Sequence, residues 1–216
     1  MFDAVIFDFD GVILDSEPLH YQACCHVFKP LGIELTWPEF LENYIGTADK
    51  EMFPLIFNNK NLIFSKDEIK NFIHLKVKYY TDMINAHSKL PMVSNVDCYI
   101  KSIVKADKKV AICSGSTRSE INAVLAKLNH GELQDYFKLI ISSEDVREGK
   151  PSPEGYLLTA ERLKLSPNKC LVIEDAPHGI AAAKAAGMKV FALPTTQHKS
   201  KLSQADRVLE SFAELL

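Results

Sequence analysis

The sequence predicts an α/β fold: a parallel sheet whose strands are separated by helices, with a small all-helical unit inserted after the first strand. Two observations carry this. From about Met92 onward, short apolar runs alternate with segments whose apolar residues recur at helical spacing, and strands separated by helices imply parallel pairing through right-handed crossovers. From residue 17 to about residue 88, in contrast, no run comparable to the first strand occurs, and the segment reads as helices alone.

The first strand is the apolar run Ala4-Val5-Ile6-Phe7, which ends in Asp8, Phe9, Asp10 and Gly11. Gly11 allows a sharp departure of the backbone that a residue with a Cβ resists. The strands are expected at 4–8, 109–113, 139–142, 170–174 and 189–193. In the helical stretch, Ser65-Lys66-Asp67-Glu68 is a capping box, followed at helical spacing by Ile69, Phe72, Ile73, Tyr80, Met83 and Ile84, with an end near His87. Thr117-Arg118-Ser119-Glu120 is a second capping box, and Ile121, Val124, Leu125 and Leu128 share one face behind it. Ser152-Pro153 starts a helix carrying Leu157, Ala160 and Leu163, and Gly187 stops an Ala-rich helix over 179–186. The lone Trp37, before Pro38, reads as a packing residue at a helix start. Hinges near Asp15 to Pro18 and Lys89 to Asn95 divide the chain into a core, residues 1–15 and 91–216, and a helical cap, residues 16–90.

With 216 residues, 47% of them hydrophobic and 25% charged, the chain can bury a sizeable core as one domain with a small insert. A formal net charge of −3 gives no basic footprint for nucleic acid. No apolar run approaches the roughly 18 to 20 residues that span a bilayer, and the first residues do not read as a signal peptide, so the expectation is a cytoplasmic protein, and a monomer. The five cysteines have no C-x-x-C spacing and indicate neither a disulfide framework nor a zinc site. Cys113 and Cys170 sit in apolar strand runs as small hydrophobes.

Asp8 and Asp10 fall at the carboxyl end of a strand, where open α/β sheets bind ligands. Two close carboxylates repel unless a cation is present or one keeps its proton, so the pair suggests a hard metal such as Mg²⁺. Taken alone, the pair is equally a solvated turn. Three later segments change that. Lys109 to Cys113 ends in Ser114-Gly115-Ser116, a composition suited to cradling an oxyanion with backbone N–H groups. Lys150 precedes Pro151-Ser152-Pro153, and Cys170 to Ile173 ends in Glu174-Asp175. Two acids, a serine, a lysine and two more acids, each at or near a strand's carboxyl end, describe phosphoryl transfer through a carboxylate.

In these four signatures, Asp8-Phe9-Asp10-Gly11, Ser114, Lys150 and Glu174-Asp175, the sequence resembles the haloacid dehalogenase-like hydrolase superfamily, in its β-phosphoglucomutase-like and sugar-phosphate phosphatase branch. The resemblance covers nearly the whole chain. It implies a Rossmann-like core with helices on both faces and a helical cap over the ligand end of the sheet. It also implies roles: Asp8 as nucleophile, Asp10 as the acid and base, kept protonated at neutral pH, and Lys150, Ser114 and Gly115 around the phosphate. Mg²⁺ would be held by Asp8, Asp175 and the main chain of Asp10, with Glu174 as a direct or water-mediated ligand. His20 corresponds to a histidine that assists the acid/base aspartate in the mutase branch. His178 is expected at the periphery, and the remaining histidines form no metal-ligand cluster.

In that branch, basic residues flank the cap segment that resembles Tyr44 to Lys50, and an arginine there grips a second phosphate. Ile45 and Asp49 take those positions here, and Lys50 or Arg118 would have to compensate. The expected function is therefore a Mg²⁺-dependent phosphatase acting on a small phosphorylated metabolite of the sugar or polyol phosphate class. A phosphoglucomutase-type mutase is the alternative. A dehalogenase would not need Asp10 or the metal, and a silent binding module would have no reason to retain Asp8, Asp10, Lys150 and Asp175 together.

Overall fold

A computed structural model describes residues 2–216. Ala4–Phe7 form β1, with all four residues buried. A strand covered on both faces must be apolar throughout, which places this run inside a parallel sheet. β2 (Lys109–Cys113) and β3 (Leu139–Ile141) lie on one side of it; β4 (Cys170–Glu174), β5 (Lys189–Ala192) and β6 (Arg207–Val208) lie on the other. The order is β3-β2-β1-β4-β5-β6, parallel throughout, and Phe7 stands opposite Ile112 and Ile173. The five expected strands are present, each ending within one residue of its expected end. β6 is a further strand of two residues, too short for any periodicity to reveal.

Five α-helices lie between β1 and β2, and the first four are α1 (Glu17–Phe28), α2 (Trp37–Asn43), α3 (Asp49–Asn59) and α4 (Lys66–Ala86). Val27, Phe28, Phe40, Phe53 and Phe57 form their shared cluster, and Trp37 packs on Tyr21 and Phe40 as expected. The capping box at Ser65 is complete, and α4 ends at Ala86. Leu19, Ala23, Tyr80 and Ile84 belong instead to the cluster around Phe7, so α1 and α4 also pack onto the sheet layer. The chain leaves and re-enters the sheet region side by side. Asp15 N–H donates to the Pro91 carbonyl at 2.8 Å and Val93 N–H to the Ile13 carbonyl at 3.0 Å.

Alternation along β1 sends Val5 and Phe7 to one face and Ala4 and Ile6 to the other. α5 (Val96–Lys105) and α6 (Arg118–Leu125) cover the first face through Tyr99, Ile100, Ile121 and Val124. α7 (Glu154–Leu163) and α8 (Pro177–Ala185) cover the second through Tyr156, Ala160, Ile180 and Ala183. Thr117 and Glu120 complete the capping box of α6. Pro153 caps α7 instead of opening it, so that helix begins at Glu154, one residue later than its Ser-Pro start suggests. No helix among the described residues is long and apolar enough to cross a membrane.

Candidate active site

The strand order reverses at β1, and in open α/β sheets a crevice opens there at the carboxyl ends of the strands. Asp8 follows β1 directly, its N–H still paired to the Ile173 carbonyl of β4 at 2.9 Å. Gly11 then turns the chain at φ 73°; a Cβ built on it would lie 1.9 Å from Asp175 Oδ2. Any other residue there would push into a carboxylate as well as strain the backbone.

β4, paired beside β1, delivers Glu174 and Asp175 next to Asp8. Each of the three offers a carboxylate oxygen within 4.8 Å of the others, and all are buried. Lys150 Nζ lies 2.6 Å from Asp8 Oδ1 and 2.6 Å from Glu174 Oε1. The oxygens of Glu174 are fully engaged: Oε1 also accepts from the Tyr156 hydroxyl at 2.7 Å, and Oε2 accepts from the N–H groups of Asp175 and Ala176. Glu174 therefore holds Lys150 and the start of α8 in place. Gly179 leaves the room this needs, since a Cβ there would lie 1.7 Å from Glu174 Oε1.

Thr196 donates its hydroxyl to Asp175 Oδ2. Among the described residues, Asp8 Oδ2 and Asp175 Oδ1 receive no hydrogen bond from the protein. Burial raises the Asp8 carboxyl to about 8 against the opposing pull of Lys150, with Glu174 and Asp10 adding to the rise. Burial and the charges of Asp8 and Glu174 push Asp175 well above the usual carboxylate range. Three carboxylates against one ammonium leave two negative charges unbalanced. Two free carboxylate oxygens under that excess suit a hard divalent cation, so the residues fit Mg²⁺.

The carboxylate of Asp10 is not part of this group. Its Oδ1 accepts from the Ser16 hydroxyl and from His20 Nε2 at 2.9 Å, and its Oδ2 from the Ser116 hydroxyl at 2.5 Å. Burial works against its ionisation, but His20 and the hydroxyls of Ser116 and Ser16 hold it below the usual carboxylate range. This corrects the expectation of a protonated Asp10: three donors converge on it, and the resting group is a carboxylate.

Behind His20 stands Lys76, whose Nζ lies 2.8 Å from His20 Nδ1, 2.9 Å from Asp49 Oδ2 and 3.0 Å from Glu120 Oε1. An ammonium fixed by two carboxylates donates to Nδ1, which makes Nε2–H the donor to Asp10. The His20 ring stacks on Tyr80, with centroids 4.2 Å apart.

These groups surround a cavity. Asp8, Asp10, Lys150 and Asp175 line it from the sheet side, and Glu17, His20, Thr47, Asp49 and Lys76 from the helical side. Gly115 and Ser116 also reach it. Ser114 is turned inward, its hydroxyl accepting from Ser116 N–H at 3.0 Å. Two residues expected to compensate for missing cap cations stand away from the cavity. Lys50 donates to the carbonyls of Ser143, Val146 and Arg147, and Arg118 pairs with Asp145 at 2.6 Å.

Sequence reasoning passed over Ser16, Glu17, Lys76 and Thr196, and it read Ser116 only as part of an oxyanion-cradling turn and Glu120 only as a capping residue. One of these left a readable signal. Lys76 occupies the apolar stripe of α4, between Phe72 and Tyr80, where a charged side chain has to be neutralised.

Residues 5–193 match the family model of haloacid dehalogenase-like hydrolases. The phosphorylated carbohydrates phosphatase of Thermotoga maritima is 30% identical over 188 residues, covering 87% of this chain and 82% of that protein. Among solved structures, CbbY of Rhodobacter sphaeroides in complex with xylulose-(1,5)bisphosphate superposes with a TM-score of 0.89 at 25% identity, covering 100% of this chain and 96% of the other. β-Phosphoglucomutase of Clostridium difficile gives 0.88 at 29% identity, with coverage of 100% and 94%. A match over most of its length makes this chain a member of the haloacid dehalogenase-like hydrolase family, in the branch that holds phosphorylated-carbohydrate phosphatases and β-phosphoglucomutase.

Proposed function

We propose that this chain is a Mg²⁺-dependent phosphatase that releases inorganic phosphate from a phosphorylated sugar or polyol through an aspartyl-phosphate on Asp8. The observation that carries the reading is the cavity floor, where Asp8 stands between Lys150 and Asp175 while Asp10, two residues on, is held apart by its own donors. Asp8 Oδ2 and Asp175 Oδ1 would hold Mg²⁺, which when bound supplies positive charge to the phosphoryl oxygens.

A phosphate monoester dianion repels nucleophiles, so the protein's task is to neutralise charge and align the attacking group. Asp8 attacks phosphorus and the bond to the leaving oxygen breaks, with Lys150 placing a compact positive charge beside the transferring group. Ser114 and Gly115 would present the Ser114-to-Ser116 turn to the phosphoryl oxygens. Asp10, a carboxylate at rest, takes up one proton from solvent as substrate binds, gives it to the leaving alcohol, and then takes one from the water that opens the aspartyl-phosphate. Its resting carboxylate is suited to the second task. His20, oriented by Lys76, fixes the direction of Asp10. Residues 16–90 would serve as the cap that closes the cavity over the core formed by residues 1–15 and 91–216.

The test is release of phosphate from 4-nitrophenyl phosphate with Mg²⁺. Asp8→Asn keeps the volume and removes the nucleophile, so turnover should fall by roughly a thousandfold or more with an unchanged circular dichroism spectrum. Near-normal turnover by that variant would remove the mechanism.

A further inference from the structure

We infer that the substrate carries a single phosphate and that its far end is uncharged and hydroxyl-bearing, because among the described residues the helical side of the cavity has no cation free to receive a second phosphate. This rests on the phosphatase reading and narrows its substrate class.

Charge at each end of the cavity decides the point. On the sheet side, Lys150 and a divalent cation meet the transferring phosphate. On the helical side, the cation that lines the cavity is Lys76, and it is spent. An ammonium has three N–H donors, and those of Lys76 are taken by Asp49, Glu120 and His20 Nδ1 at 2.9, 3.0 and 2.8 Å. Lys76 with Asp49 and Glu120 amounts to one cation against two anions, an excess of one negative charge.

Glu17 adds to it. Its carboxyl is 7% exposed, lines the cavity and makes no hydrogen bond to the described residues. Burial holds it up at about 7, against the opposing pull of His20. Nearby cations do not relieve the excess, since Lys50 is fixed on three carbonyls and Arg118 on Asp145. A second phosphate would thus meet like charge with no free cation among the described residues to answer it. A hydroxyl, in contrast, donates to the open oxygens of Glu17 and Asp49. Asp49 is the selecting residue: it neutralises Lys76 and faces the cavity.

The test uses two substrates that differ only in the second phosphate, 4-hydroxyphenyl phosphate and 1,4-phenylene bisphosphate, with phosphate release followed in Mg²⁺. The monophosphate should be preferred in kcat/KM by about tenfold or more, carried mainly by KM. In Asp49→Asn, which removes one negative charge and leaves Lys76 paired to Glu120, the preference should shrink severalfold through a lower KM for the bisphosphate. Equal use of the two substrates by the unmodified protein overturns the inference while leaving the phosphatase reading in place, as does an unchanged preference in a folded Asp49→Asn. If that variant does not fold, the pair measured on the unmodified protein decides. Turnover of neither substrate removes the phosphatase reading itself, and the inference with it.

Discussion

Asp8 and Asp10 are two residues apart yet meet different surroundings, one facing a lysine and two acids, the other facing two hydroxyls and an imidazole. The difference should show in leaving-group dependence. Asp10→Asn cannot deliver a proton, so its loss of turnover should be larger for alkyl phosphates than for aryl phosphates, whose leaving groups need little help. Equal losses on 4-nitrophenyl phosphate and on a hexose 6-phosphate would take Asp10 out of the acid role. At this scale the sequence is legible where a short strand ends in charge, as at Asp8, Lys150's neighbour Glu174, and Asp175. It is silent on Ser16 and Ser116, because a serine acquires its partner through folding: Ser116 is 106 positions from the carboxylate it binds.

Among the elements, α4 shows what a helix can hide. Its capping box and apolar period were readable, and so was its end, but the purpose of Lys76 within the stripe was not, since Asp49 and Glu120 come from α3 and α6. Lys76→Met preserves length and helix propensity while leaving both acids without their cation. Urea denaturation should show a loss of about 3–5 kcal/mol, the usual cost of breaking a buried ion pair from one side. A second change, Glu120→Gln on top of Lys76→Met, should recover part of it; no recovery would mean that packing, not charge, is what Lys76 contributes. β6 was missed for a different reason: two residues at a sheet edge carry no pattern, and its pairing with Phe191 and Ala192 arises from the sheet already built.

For the molecule as a whole, the buried acids couple stability to pH and to metal. Asp8 sits at about 8 in the folded state, far above its ordinary value. A carboxyl raised by folding binds more protons when folded than when unfolded, so the metal-free protein should lose stability as pH rises from about 4 towards 8. Thermal melts in EDTA should record a falling Tm over that window. Mg²⁺ should restore it at pH 8 more than at pH 6, because the cation competes with the proton on Asp8. A metal-free Tm that is flat or rising there would contradict the uncompensated acid set. In activity, EDTA should abolish phosphate release and Ca²⁺ should inhibit, since its longer bonds and larger coordination number spread the groups that Mg²⁺ would gather. The parallel core and the inserted helices were legible because buried strands and amphipathic helices write their periods into the chain. The charge balance of the cavity was not, since it is a sum over residues from many separate segments.

The joint between the two parts has an evolutionary reach. The chain leaves at Asp15 and returns at Pro91, and the backbones of these two residues are hydrogen-bonded at 2.8 Å. The part of the segment that packs around Phe28 and Phe57 is open to replacement, whereas Leu19, Ala23, Tyr80 and Ile84 are tied to the cluster around Phe7. Such an exchange rewrites Asp49 and leaves Asp8, Lys150 and Asp175 where they are. On the proposed reading, selectivity and bond-breaking are thereby heritable as separate units, and a lineage would change what it recognises while Asp8 stays fixed.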